Sequence, residues 1–332
     1  MRILLASPGM GLGGAERVVV ALASGLTARG HEVAVSGPEG ALDAELPEGV
    51  RRLPLPERGR SPAGVLEWVA RTARFVRSFR PHVVHAHNAK ATVAAAAAVR
   101  VARGPRRPPV LATHHGAAPE DRAAAARLLR LADALVCVSE DVAMPSATVI
   151  HNGVAPPPPP AEWPGDDPLV LWVGRLAPVK NPQRFLAVAA LVDGAQFVVV
   201  GDGELQLHSP HVTFLGARKD ARALIARADL LVVTSDSEGQ SIVVLEALSA
   251  GTPVVSTPVP GMRDLLGGGA GIITPDFTPE SLAAAVRELL ADPARRTRMG
   301  EMGARLVLER FSADHMVDEY ARRYHALTRT IP

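Results

Sequence analysis

The chain offers almost no sulfur chemistry. Its one cysteine, Cys137, lies in the apolar run 134–138. A disulfide framework and a multi-cysteine zinc site are therefore excluded, and the residue reads as a small buried hydrophobe in a strand. A strong charge of either sign is missing as well. The 36 Lys and Arg against 34 Asp and Glu leave a net charge of +2, which argues against nucleic acid as a partner and confines any basic function to a local patch. Long hydrophobic runs are also missing. The best, residues 91–99, is alanine-rich, is closed by Arg100, and falls short of the about 18 residues needed to span a bilayer. The apolar run within residues 1–9 is too short for a signal peptide, so the expected location is the cytoplasm. No Asp-x-Asp metal signature stands near the motifs below, where Asp236-Ser237-Glu238 is the nearest imitation.

What is present is a globular composition, 47 % apolar and 21 % charged over 332 residues, long enough for two domains with a core each. The first half alternates strand-like and helix-like segments. Strands are expected at 2–6, 31–35, 83–85, 109–113 and 134–138, with helices at 15–29, 63–79, 89–102 and 121–131. This alternation implies a parallel sheet covered on both faces. Prolines 156–160 then break the pattern with a stiff, extended run suited to a domain linker. The alternation starts afresh with strands at 169–173, 197–200, 212–215, 230–234 and 253–256, and helices at 182–192, 219–227, 241–250 and 279–291. A last amphipathic helix, 312–327, carries Met316, Tyr320 and Tyr324 on one side. The expected organisation is an α/β pair of Rossmann-like, doubly wound domains, 1–155 and 156–311, followed by a terminal segment 312–332 that can dock on either domain, packing back on the first being one option.

Ligands of such sheets bind at the carboxyl ends of strands, so the chemistry is sought in strand-to-helix loops. The first such loop, residues 9–16, has Gly9, Gly11 and Gly14 in a G-x-G-x-x-G pattern. Glycines let backbone N–H groups approach an anion at a helix start. The dinucleotide reading requires an acidic residue after the next strand. That strand ends Val35-Ser36-Gly37, which argues against NAD.

The most informative loop is 237–248. It holds Glu238 and Glu246 in a Glu-x7-Glu pattern, with Gly239 and Gln240 after the first glutamate. A helix beginning near Ser241 turns free N–H groups toward a phosphate. Glu246 is embedded among apolar residues, where a carboxylate needs a partner or a site. A third loop, after the strand 169–173, carries Gly174, Arg175 and Lys180, two cations suited to a diphosphate and the charge that grows on it as a glycosidic bond breaks.

Together with Gly13-Gly14-Ala15-Glu16, Thr113-His114-His115, residues 149–154 and Val200-Gly201-Asp202-Gly203, these motifs resemble the retaining glycosyltransferases of family 4, which have the GT-B fold, two Rossmann-like domains facing across a cleft. The resemblance covers nearly the whole chain. It implies that Arg175 and Lys180 bind the donor diphosphate, that Glu246 holds the ribose hydroxyls and Glu238 the transferred hexose, and that the amides of Ser241 and Ile242, with Gly13 and Gly14, cradle phosphate. Gly174, Gly239 and Gln240 line the donor site. His115 corresponds to the family's histidine near the reacting bond, with His114 as its competitor, and His87, Asn88 and His114 fall on the acceptor side. Gln240-Ser241 departs from the Phe-Gly or Leu-Pro of many relatives, which leaves the donor sugar open. The partners implied are a nucleotide-sugar donor, UDP before GDP, and a hydroxyl acceptor on a glycoconjugate or natural product, with no metal or other cofactor.

Two further patterns stand outside this reading. His82, His85, His87, His114 and His115 cluster in the first half. His85 and His87 share a strand face and suit metal chelation, which keeps a metal-dependent hydrolase as a rival beside a nucleotide-sugar epimerase and a non-catalytic nucleotide-sugar binder. Arg71, Arg74, Arg77 and Arg80, followed by Arg100, Arg103, Arg106 and Arg107, read as a solvated face, with peripheral contact to anionic membrane as the alternative.

Overall fold

The computed structural model describes residues 1–57, 61–102, 107–116 and 121–330. Arg103 and Arg106 lie outside them. The chain divides into two compact units, one made of Met1–Gly153 with Ala313–Pro332 and the other of Val154–Ser312.

The first unit is built on strands β1 (Arg2–Ala6), β2 (Glu32–Gly37), β3 (Arg51–Pro54), β4 (Val83–His87), β5 (Val110–His114), β6 (Ala134–Cys137) and β7 (Thr148–Val149), in the spatial order β3-β2-β1-β4-β5-β6-β7. Every pairing is parallel. Parallel strands need crossovers, and the helices that supply them cover the faces. One face is closed by helices Pro62–Phe79 and Ala89–Val101, where Ala91, Ala95 and Ala98 lie against Val84, Ala86, Val76 and Phe79. Alanine fits there because a methyl lets the helix come close to the sheet. The last helix, Ala313–Thr330, returns to this unit and buries Met316, Tyr320 and Tyr324.

The second unit carries β8 (Leu169–Val173), β9 (Gln196–Val200), β10 (Val212–Phe214), β11 (Leu230–Val233), β12 (Val254–Ser256) and β13 (Gly271–Ile273), all parallel, in the order β10-β9-β8-β11-β12-β13. Its core gathers Trp172, Phe185, Phe197, Leu230, Val232, Leu282 and Val286.

Among the described residues three strands and two α-helices escape the hydrophobic periodicity. β3 is an edge strand of sequence Arg-Arg-Leu-Pro whose Arg52 pairs with Asp43 at 2.7 Å. β7 and β13 are two and three residues long, and the helix Met262–Leu266 is a short turn. The helix Pro293–Arg310 is so charged that its apolar face is narrow, yet it packs with Gly303 against Leu248 of the helix Ile242–Ser249 and with Gly300 against Gly251 just past its end. Asp292, whose side chain accepts from the Arg295 amide, and Pro293 at the first helical position start it as cap chemistry dictates.

No described helix is long and apolar enough to cross a membrane. Arg71, Arg74, Arg77 and Arg80 are exposed, and Arg71 pairs with Glu67 one turn away at 2.7 Å.

Two glycines after β8 and β9 carry the pairing past the strand ends. The Gly174 amide donates to the Val200 carbonyl at 3.0 Å and the Leu176 amide to that of Asp202 at 2.9 Å. Gly201 has φ +145°, and a Cβ there would overlap the Gly174 carbonyl oxygen. Gly201→Ala is expected to cost about 2–4 kcal/mol in urea unfolding. Gly194→Ala, at φ +75° in open space, is expected to cost about 1 kcal/mol from backbone strain alone. Equal losses would contradict the close approach.

Candidate active site

In a parallel sheet all carboxyl ends lie along one edge, and a crevice opens where the strand order reverses. In the second unit the reversal falls between β8 and β11, which pair directly through Leu230 with Val170 and Leu231 with Leu171. The loops that leave these strands are 174–181 and 234–241, the two singled out above.

Several bonds fasten these loops together. The Trp172 indole donates to Thr234 Oγ1 at 2.9 Å, and that hydroxyl donates to the Lys180 carbonyl at 3.0 Å. The Asp236 amide donates to the Val179 carbonyl at 2.9 Å. Arg184 donates to the Thr234 carbonyl and pairs with Asp236 at 2.9 Å. Asn181 makes this turn in left-handed geometry, with φ 45°, and caps the helix Pro182–Leu191.

At the centre, Lys180 Nζ lies 2.7 and 2.8 Å from the two oxygens of Glu238, and Ser235 Oγ donates to Oε1 at 2.6 Å. The Glu238 side chain is 8 % exposed and that of Lys180 29 %. The sequence reading put Lys180 on a diphosphate and Glu238 on a hexose as separate contacts. The structure makes them one ion pair, and such a pair holds both groups because breaking it strands a desolvated charge. Arg175 behaves differently: it is exposed at the end of β8, and among the described residues nothing holds its guanidinium.

Gly239 and Gln240 lead into the helix Ile242–Ser249. Ser241, at φ −71° and ψ 114°, is its N-cap and its side chain makes no capping bond, so the amides of the first turn keep the unpaired N–H groups of a helix start. The loop is held from behind by Gly261, at φ +83°, where a Cβ would overlap the Gly239 carbonyl oxygen.

Glu246 lies one turn further on and is 8 % exposed. Its cation is neither Arg175 nor Lys180. Arg222, from the helix Ala221–Arg227, brings Nε to 3.3 Å from Oε1 and donates through Nη2 to the Ala155 and Pro156 carbonyls, at 2.8 Å each. Sequence reasoning missed this residue, because an arginine in the first turn of a short helix looks like any solvated cation.

In the first unit the order reverses between β1 and β4. The glycine loop after β1 is anchored by buried Met10, whose carbonyl accepts from the Leu42 amide at 2.9 Å. Gly13 is the N-cap of the helix Gly14–Ala28, and the Glu16 carboxylate lies over the place a Gly13 Cβ would occupy. A negative charge already stands beside that helix start. β4 ends in His87, and Asn88 follows with φ 82°, its Oδ1 accepting from the Lys90 and Ala91 amides as the cap of the next helix.

The histidines form a buried network. His85 Nδ1 lies 2.7 Å from the Tyr324 hydroxyl and Nε2 2.7 Å from Thr113 Oγ1, which contacts the Tyr320 hydroxyl at 2.9 Å. His87 Nδ1 lies 3.1 Å from His115 Nε2, and its own Nε2 is buried with no hydrogen-bond partner. His114 is held below its ordinary pKa by burial and by the charge of Arg122. Both ring nitrogens of His85 and one of His87 are thus engaged within the protein. Among the described residues no three His, Cys, Asp or Glu side chains form a metal-binding group. In place of the chelate that the sequence suggested, the structure gives the rings of His85 and His87 protein partners.

Burial lowers the pKa of His85 to about 3 and that of His115 to about 4, and holds His87 well below 6.5. The unfolded chain protonates these rings near 6.5 while the folded one does not, so unfolding takes up protons and stability falls as pH drops below 6.5. For His85 alone the loss at pH 5 is about 2 kcal/mol. Thermal unfolding followed by circular dichroism should show a lower midpoint at pH 5 than at pH 7, with a smaller difference in His85→Gln. A wild-type midpoint that does not fall would contradict the neutral, buried network.

The sequence matches Glycosyltransferase Family 4 over residues 12–157 and Glycosyl transferases group 1 over residues 167–292. It is 33 % identical over 171 residues to the lipopolysaccharide core biosynthesis glycosyltransferase LpsE of Rhizobium meliloti, covering 47 % of this chain and 49 % of that one. It is 35 % identical over 176 residues to a D-inositol 3-phosphate glycosyltransferase of Kineococcus radiotolerans, covering 43 % and 40 %. The chain thus spans about half the length, or less, of the curated relatives it matches. Anabaena Alr3699/HepE, solved in complex with UDP and glucose, superposes with a TM-score of 0.81 at 22 % identity, covering 97 % of this chain and 99 % of that one, so the fold is that of the GT-B glycosyltransferases. With one match in each unit, the chain belongs to the group 1 glycosyltransferases of family 4.

Proposed function

We propose that the protein is a retaining glycosyltransferase that moves a hexose or N-acetylhexosamine from a nucleoside-diphosphate sugar, UDP-linked before GDP-linked, to an acceptor hydroxyl. The observation that carries this reading is the Lys180–Glu238 pair beside exposed Arg175 and the open helix start at Ser241, all at the β8/β11 reversal. Cations and amide dipoles together favour a diphosphate and stabilise the charge that develops on it as it leaves. Glu238 takes hydroxyls of the transferred sugar, Glu246 those of the ribose, and Gln240 and Ser241 line the sugar end. The co-crystallised UDP and glucose of the structural relative support the donor class, and the lipopolysaccharide core role in the name of LpsE supports a glycoconjugate acceptor.

In the reaction the acceptor oxygen bonds to the anomeric carbon on the face from which the diphosphate departs. The bond from that carbon to the β-phosphate oxygen breaks, and the acceptor proton passes to the leaving oxygen. Arg175 and Lys180 balance the charge on the diphosphate, so no catalytic metal is needed. His115, with His87 bonded to it, serves the sugar side as a neutral ring, while His114 and Asn88 border the acceptor.

Release of nucleoside diphosphate from UDP-, GDP- and ADP-sugars should depend on an added acceptor and survive EDTA. Arg175→Ala should lower kcat by about a hundredfold, and Glu246→Ala should raise donor KM by about tenfold. Interconversion of nucleotide sugars without any acceptor would instead favour an epimerase, and unchanged kinetics in both variants would refute the site.

A further inference from the structure

We infer that Arg222 is a positioning residue that aims the Glu246 carboxylate and ties it to the segment by which the chain enters the second unit. This rests on the reading that Glu246 takes the ribose hydroxyls of a nucleotide. One guanidinium reaches three acceptors, Glu246 Oε1 at 3.3 Å and the Ala155 and Pro156 carbonyls at 2.8 Å. Those carbonyls open the run of five prolines, whose rigid backbone makes them fixed anchors. The preceding residue is fixed too, since the Val154 amide donates to the Phe311 carbonyl at 2.9 Å and Val154 bridges Ser312.

The chemistry calls for arginine. A planar guanidinium offers five N–H donors in a set fork, so the carbonyls hold the plane and the plane holds the carboxylate. An ammonium on a flexible stem supplies the charge without that orientation. Glu246 is nearly buried on an apolar helix, where a lone carboxylate is costly. Its two oxygens offer about four acceptor positions, so it can serve Arg222 and a ribose diol together. In that arrangement Arg222 touches no ligand, yet it sets the direction from which the diol is met.

The test is calorimetric titration of the full chain with UDP and with 2′,3′-dideoxy-UDP, and with the guanosine pair if GDP binds more tightly. Arg222→Gln should weaken UDP about tenfold, the loss of roughly one charged hydrogen bond, and leave the dideoxy nucleotide nearly unchanged, because the contact that Arg222 orients is missing there. Arg222→Lys, which keeps the charge and guards against a misfolded glutamine variant, should recover only part of the loss. In turnover the defect should fall on donor KM with kcat little altered. Wild-type-like UDP affinity in both Arg222 variants, with affinity lost in Glu246→Gln, would overturn the role of Arg222 and leave the nucleotide site standing. A wild-type protein that binds UDP and its dideoxy analogue equally would overturn the ribose reading of Glu246 and this inference with it. Equal losses on both nucleotides would also overturn it, since a purely structural residue acts that way.

Discussion

A parallel sheet has one functional edge, and the reversal of strand order leaves the two loops on either side of it with no strand to hold them. In the second unit that gap is spanned by an ion pair. Lys180 comes from the loop after β8 and Glu238 from the loop after β11, and each carboxylate oxygen lies within 2.8 Å of the ammonium nitrogen. Because Glu238 is nearly out of water, separating the two would leave a desolvated charge. The positions of Arg175, Gly239, Gln240 and the start of the helix Ile242–Ser249 follow from this link and from the bonds of Thr234, Asp236 and Arg184 around it. The result is an edge at which a nearly buried ion pair, an exposed Arg175 and the open start of a helix stand together.

The first unit solves a different problem with the same topology. The histidines at the end of its β4 are neutral. His85 and His87 are fully buried, and burial keeps them uncharged at neutral pH. Tyr320 and Tyr324 reach them from the last helix of the chain and fix the His85 ring from both nitrogens, directly and through Thr113. The helix Ala313–Thr330 thus sets the polar interior behind His87 and His115.

Much of this was legible in the residues. Ten of the strands follow from short apolar runs between helical periodicities, because fully buried parallel strands need little else. Glu238, Glu246, Arg175 and Lys180 stand out because charged groups at strand ends and inside apolar helices require a reason. Partners were not legible. The pairing of Lys180 with Glu238 joins residues 58 apart in sequence, and Arg222 reaches Glu246 from another helix. Of the two hydroxyls that occupy His85, that of Tyr324 comes from 239 residues away and that of Thr113 from 28. Side chains that look alike on a line differ in what the fold brings beside them, which is why the histidines read as a metal chelate and fold as a hydrogen-bonded network. The edge strand β3 and the helix Pro293–Arg310 were hidden for a simpler reason: their charge masks a narrow apolar face.

The central claim is that fixed charges at the β8/β11 edge recognise a diphosphate. It is tested most directly by the affinity of the protein for UDP against UMP, and for GDP against GMP, measured by titration calorimetry at low and high salt. The account predicts that the diphosphate of the preferred base binds at least about tenfold more tightly, with an advantage that shrinks in Arg175→Ala and as salt is raised. Equal affinity for diphosphate and monophosphate in the wild-type protein, at every salt concentration, would contradict it.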